Sequence, residues 1–87
     1  MGKKYTVIIK ESAQKQIKRV PSIYLKKIRE IILELENNPR PHGAIKLQGG
    51  NNEYRIRFGT YRILYSIQDD ILVVYVFDVD HRKQVYR

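Results

Sequence analysis

The stretch Tyr54-Arg55-Ile56-Arg57-Phe58-Gly59-Thr60-Tyr61-Arg62-Ile63-Leu64-Tyr65 alternates apolar and charged residues on both sides of a Gly-Thr pair. That is the signature of two strands joined by a tight turn. A two-residue turn at Gly59-Thr60 pairs Phe58 with Tyr61 and sets Arg57 directly opposite Arg62. Arg55 falls two residues along on the same face. Like charges opposed across strands destabilise a sheet, so three guanidiniums on one face imply an anion between them. Phosphate fits best, because the planar donor fork of arginine matches its oxygens.

Extending the pattern outward gives strands over residues 53–58, 61–68 and 71–78, the last two joined at Asp69-Asp70. Counting pairs across both turns puts Tyr54, Ile56, Phe58, Tyr61, Ile63, Tyr65, Ile67, Leu72, Val74 and Val76 on one apolar face. The other face carries Arg55, Arg57, Arg62, Leu64, Ser66, Val73, Tyr75 and Phe77. The assignment holds only if no bulge intervenes, since one extra residue exchanges the faces. Upstream, the β-rich run 4–10 predicts a first strand. Ser12 is the expected N-cap of a helix over 13–20, with Ile17 and Val20 facing inward. Pro21 stops that helix and Ser22 can cap the next one. Over residues 23–37, Tyr24, Leu25, Ile28, Ile31, Ile32 and Leu35 recur at three- and four-residue steps, the mark of an amphipathic helix. Residues 38–52, rich in Pro, Gly and Asn, read as a connecting loop carrying Lys46 and Leu47. The expected fold is α+β: two N-terminal helices packed on one face of a mainly antiparallel β-sheet.

Eighty-seven residues predict a single domain over 1–87 with a small core. A hydrophobic fraction of 43% beside 30% charged residues argues against disorder. No apolar run approaches the ~20 residues of a membrane helix, and the N-terminus lacks the apolar stretch of a signal peptide. The absence of cysteine excludes disulfides and thiolate metal sites and fits a reducing, cytoplasmic setting. Seventeen Lys and Arg against nine Asp and Glu give a net charge of +8. Such a field attracts polyanions, nucleic acid first among them.

The chain closes with Val79-Asp80-His81-Arg82-Lys83-Gln84-Val85-Tyr86-Arg87, at the end of a strand neighbouring Arg62. Phosphodiester cleavage needs cations to offset charge on the transition state and groups that move protons. Arg55, Arg57 and Arg62 can supply the first. Tyr86 and His81 are the nearby candidates for the second, since arginine keeps its proton; cations around Tyr86 would favour its phenolate. Tyr75 and Phe77 share the basic face, where they either stack a base or simply pack. Asp78, Asp80 and His81 have a weak metal-ligand spacing in a positive field that opposes a cation, so neither metal nor cofactor is expected.

Taken together, Lys46-Leu47-Gln48-Gly49, Arg55-x-Arg57, Gly59-Thr60-Tyr61-Arg62-Ile63-Leu64-Tyr65 and the closing His81-Arg82-x-x-x-Tyr86 resemble the RelE/ParE superfamily of bacterial and archaeal toxins, RelE-like branch. The resemblance covers nearly the whole chain. It implies a toxin of a type II toxin–antitoxin pair with a microbial-ribonuclease-like fold. The implied activity is ribosome-dependent cleavage of mRNA in the 30S A site, metal-independent, by attack of the ribose 2′-oxygen. The implied catalytic set is Arg55, Arg57, Arg62, His81, Arg82 and Tyr86, with Lys46, Tyr75, Phe77 and Lys83 as RNA contacts. Arg55 and Arg57 match the paired residues at the scissile phosphate, Arg62 the transition-state arginine, and Tyr86 the tyrosine acting on or orienting the 2′-hydroxyl. Some relatives carry lysines at the positions of Arg55 and Arg57. The implied partners are a cognate antitoxin, the ribosome with mRNA, and operator DNA bound through the antitoxin; no membrane is involved. The alternatives are a ParE-like toxin that binds DNA gyrase without being an enzyme, and a degenerate member that only binds its antitoxin.

Overall fold

The computed structural model describes residues 3–81. Thr6–Ile9 forms β1, Glu11–Lys18 forms α1 and Ser22–Glu34 forms α2. They are followed by a short strand β2 at Ile45–Lys46, then β3 (Glu53–Phe58), β4 (Tyr61–Gln68) and β5 (Val73–His81). The strands make one sheet in the order β1-β5-β4-β3-β2. β1 runs parallel to β5 and the other neighbours are antiparallel. This is the expected α+β architecture.

The β3–β4 hairpin has the register that alternation predicts: Phe58 faces Tyr61, Arg57 faces Arg62 and Ile56 faces Ile63. Gly59 turns the chain with a φ of 61°, a left-handed value that costs little without a Cβ. Thr60 stays outside that region, which is the pattern of a type II′ turn, whose twist suits a hairpin. Ile63, Ile67, Val74 and Val76 are fully buried on the inner face of the sheet. Ala13 and Ile17 of α1, Ile28 and Ile32 of α2, and Leu35 just beyond it pack onto them. Each fully buried aliphatic side chain contributes roughly 1.5–3 kcal/mol, so these contacts fix which face of the sheet the helices cover.

Local starts and stops differ from expectation. The Lys10 N–H remains in the sheet, donating to the Val76 carbonyl at 2.9 Å. The helix therefore begins directly after it, and Ser12 lies inside the first turn rather than at the cap. In α2 the cap position is Pro21 and Ser22 is the first helical residue; neither helix has a side-chain cap. The segment 38–52 is not all loop, because Ile45 and Lys46 pair with Arg55 and Tyr54. The β4–β5 turn is longer than Asp69-Asp70, since Gln68 pairs with Val73. Leu72, expected in the strand, stands in that turn with a φ of 55°.

The largest departure is a bulge in β5. Tyr65 faces Val76, yet Leu64 faces Asp78, so Phe77 is an extra residue. Beyond it the alternation changes phase. Val79, opposite Ile63, is buried, and Asp80 falls opposite Arg62. β1 ends before this point, and Gln16 of α1 continues the edge. Its Oε1 accepts the Val79 N–H at 2.8 Å and its Nε2 donates to Asp78 Oδ1 at 2.9 Å. Paired with β4 on one side, the strand that leads to the chain's last motif is held on the other by the Gln16 side-chain amide.

At the end of the sheet away from the Gly59-Thr60 turn, Asp69 accepts from Tyr5 Oη at 2.6 Å and from Arg40 Nη2 at 2.8 Å. Arg40 Nε also donates to Tyr54 Oη at 3.0 Å. Tyr54 stacks on Tyr65, ring centroids 5.9 Å apart, and the buried Tyr65 hydroxyl donates to the Pro39 carbonyl at 2.8 Å. Burial, ahead of the neighbouring Tyr54, pushes the Tyr65 phenol above its ordinary range. Tyr65→Phe leaves the Pro39 carbonyl without its donor; a loss of about 1–3 kcal/mol is expected, read from the urea midpoint at constant m-value.

The Arg40 guanidinium, and then the Tyr5 hydroxyl, hold the Asp69 carboxyl down at about 2. An unfolded aspartate titrates near ~3.9, so the unfolded chain binds the proton first as pH falls. The contribution of this cluster is therefore full above about pH 4 and is lost as pH drops through about 2. In acid unfolding curves Asp69→Asn is expected to flatten that limb relative to wild type. Equal slopes in the two proteins would remove Asp69 from the acid response.

Candidate anion-binding face

The hairpin that orders the core also orders the arginines. With Ile56 and Ile63 turned to the helices, alternation sends Arg55, Arg57 and Arg62 to the face the helices leave uncovered. Arg57 and Arg62 are direct cross-strand partners. Arg57 is exposed, whereas Arg55 and Arg62 are half-buried. The Nε atoms of Arg55 and Arg62 are shielded from solvent and have no hydrogen-bond partner among the described residues. Buried donors are nearly always paired, and leaving one unpaired costs about 1–3 kcal/mol. The described ion pairs, Lys4–Glu36 and Arg40–Asp69, lie elsewhere. Three guanidiniums thus share a face, and among the described residues none of them is in an ion pair. A phosphate, with several acceptor oxygens, supplies what this geometry lacks.

Other candidates are distributed unevenly. Tyr75 falls opposite Ser66, on the arginine face, half-buried. Phe77 is the bulged residue, so alternation no longer assigns it to that face. Lys46 falls opposite Tyr54, on the other face at the sheet edge, and is not brought to the arginines. His81 falls opposite Tyr61 and meets its ring edge-on, with centroids 5.0 Å apart. Its Nε2 lies 2.9 Å from Thr60 Oγ1 in the hairpin turn. The bulge thus groups His81 with Tyr61 rather than with the guanidiniums. Arg82, Lys83 and Tyr86 lie outside the described residues.

One residue escaped the pattern. Asp80, expected at most as a weak metal ligand, is the register partner of Arg62. A signal for it existed: strict alternation past Val76 would bury Asp78 and expose Val79, and a bulge relieves that conflict. Among the described residues no group of three His, Cys, Asp or Glu side chains is arranged to hold a metal ion. Nor is any described helix long and apolar enough to cross a membrane.

The fold agrees with comparisons to known proteins. Residues 7–86 match the family described as the ParE toxin of type II toxin-antitoxin system, parDE. Toxin RelE3 of Methanocaldococcus jannaschii is 34% identical over 84 residues, covering 92% of this chain and 93% of that protein. The RelE chain of the archaeal RelE-RelB complex from Pyrococcus horikoshii OT3 superposes with a TM-score of 0.81 at 28% identity, over 91% of this chain and 96% of that one. The isolated E. coli RelE toxin superposes with a TM-score of 0.78 at 26% identity, over 88% and 83%. The chain therefore belongs to the RelE/ParE superfamily of type II toxins, and within it to the RelE-like branch.

If the arginines serve a ligand rather than the fold, removing one relieves repulsion. Arg62→Gln is expected to leave the thermal unfolding midpoint unchanged or raised. A drop of several degrees would instead make Arg62 a structural member of the sheet.

Proposed function

We propose that this toxin is a ribosome-dependent endoribonuclease that cleaves mRNA in the ribosomal A site. The observation that carries the reading is the uncovered face on which Arg55, Arg57 and Arg62 converge, two of them with buried, unpartnered Nε atoms. In the proposed reaction the ribose 2′-oxygen attacks the adjacent phosphorus and the 5′-oxygen leaves. Charge builds on the phosphoryl oxygens as the fifth bond forms. Guanidiniums already fixed at that place stabilise it without reorganising. Arg55 and Arg57 hold the scissile phosphate, and Arg62 neutralises the transition state. Arg82 and Tyr86 enter through the sequence motif they match: Arg82 as a further cation, Tyr86 as a group acting on or orienting the 2′-hydroxyl. Tyr75 offers a ring on the same face for a base to stack on.

The partner expected in the cell is a cognate antitoxin, as the Pyrococcus horikoshii RelE was solved with RelB. The antitoxin would also carry the complex to operator DNA. A net charge of +8 favours association with ribosomal RNA as well as with an acidic antitoxin. These macromolecules are cytoplasmic, which is where the toxin would act. The gyrase-binding mode of ParE-like toxins has no need of an unpaired guanidinium cluster, and this favours the ribonuclease.

The test is single-turnover cleavage of mRNA on programmed ribosomes. Wild type is expected to yield 2′,3′-cyclic phosphate ends, equally with or without EDTA where ribosomes stay intact. Tyr86→Phe removes only a hydroxyl. A fall on the order of 10²–10⁴-fold is expected, the range for a group in general acid–base catalysis, with ribosome affinity nearly unchanged. Growth arrest with mRNA intact and gyrase poisoned would overturn the reading in favour of the ParE mode.

A further inference from the structure

The arginine face is rich in cations and poor in groups that can take a proton. By register, three carboxylates reach it. Glu53, opposite Ser66, stands at the far end of the face from Arg62. Its side chain lies over Gly50, close enough that a Cβ there would come within 2.5 Å of Oε1. Asp78, opposite Leu64, is engaged by Gln16 Nε2 at 2.9 Å. Asp80 alone is placed directly across from Arg62. Its Oδ1 accepts the N–H of His81 at 2.8 Å, which orients the carboxyl and leaves its second oxygen available. No described cation lies within salt-bridge distance of it. Asp80 also borders a cleft of about 270 Å³ on the helix side of the sheet, lined by Arg19, Tyr61 and His81.

The chemistry of the face needs such a group. Arginine does not give up its proton, and His81 is turned to Thr60 and Tyr61. We propose that Asp80 is the catalytic base that takes the proton of the attacking 2′-hydroxyl, with Tyr86 orienting that hydroxyl, an inference that rests on the ribonuclease reading. A phosphate held by Arg62 brings the ribose on its 3′-oxygen side to the residue across the ladder. The 2′ O–H bond breaks toward the Asp80 carboxylate, and the freed oxygen pair forms the new bond to phosphorus. The P–O5′ bond breaks with its electrons on the 5′-oxygen, which takes a proton from solvent. Asp80 then returns its proton to water. The bulge at Phe77 is what makes this possible: an unbroken strand would put Val79 opposite Arg62 and Asp80 opposite Tyr61.

The test compares wild type and Asp80→Asn, which keeps shape and removes the basic oxygen. Single-turnover cleavage on programmed ribosomes is measured across pH, together with ribosome affinity and the unfolding midpoint. The expected result is a fall on the order of 10²–10⁴-fold with affinity unchanged or tighter. Wild type should show a rate that rises with pH, and Asp80→Asn should lack that limb. Among the described residues the other charged groups around Asp80 are Arg62 on β4, Arg57 behind it on β3, Arg19 on α1, and Asp78 and His81 on its own strand. A limb that survives in Asp80→Asn belongs to another group and overturns the proposal. Asp80→Asn cleaving at the wild-type rate overturns it while the ribonuclease reading stands. A lowered unfolding midpoint with an unchanged pH profile makes Asp80 a structural partner of Arg62 and overturns it also. Failure of wild type to cleave removes both readings together.

Discussion

The register of the β3–β4 hairpin is the constraint on which the rest depends. Gly59, at a φ of 61°, closes a turn that aligns Ile56 with Ile63 and, one step along, Arg57 with Arg62. Core and candidate site are therefore opposite faces of the same ladder. A slip by one residue would turn guanidiniums toward the helices and isoleucines toward water. The apolar face resists that slip through Ile28, Ile32 and Leu35 packing upon it. Because the helix side is so strongly specified, the other side can hold like charges in direct opposition. Charge repulsion on one face is offset by burial on the other.

This coupling explains why the hairpin was legible in the sequence and the end of β5 was not. Between Tyr54 and Tyr65 each residue obeys the period of two, so turn, register and face follow from the string itself. In β5 the period breaks once, at Phe77, and everything beyond it moves to the other face. Asp78 at an inward position was the clue, but a carboxylate there could equally have marked the strand's end. What makes the bulge favourable lies far away in sequence: Gln16, which takes the Val79 N–H and donates to Asp78. Long-range partners of this kind are invisible to local pattern. The same limit applies to β2, whose two residues are strand only because Tyr54 and Arg55 lie beside them. Helix starts failed for a different reason. Lys10 is held in the sheet by Val76, so the helix starts before Ser12 can cap it.

The candidate site was legible in the placement of its described cations; of the expected proton-moving groups, His81 is displaced and Tyr86 lies outside the described residues. Arg55, Arg57 and Arg62 stand together as expected, whereas Lys46 and His81 do not join them. Both displacements have physical causes: Lys46 by the edge pairing of β2, His81 by the phase change at the bulge. In exchange the bulge delivers Asp80 to Arg62. One inserted residue thus turns His81 off the guanidinium face and sets a carboxylate, rather than Val79, across from Arg62.

The arginines themselves separate structure from function. Arg40 is paired on all three nitrogens: Asp69 takes both of its terminal nitrogens, Tyr54 its Nε, and the Asp69 hydrogen bond is the first cause holding its proton more tightly than usual. Such an exposed pair is worth little to stability, yet it fastens the end of β3 to the β4–β5 turn. Arg55 and Arg62 are less exposed than Arg40 and have buried Nε donors that nothing described here satisfies. If arginine were kept on this sheet only for solubility, the buried nitrogens would be the ones most in need of partners. The paired arginine lies at the surface and the unpaired ones lie inward. That inversion is what a face prepared for an anion requires.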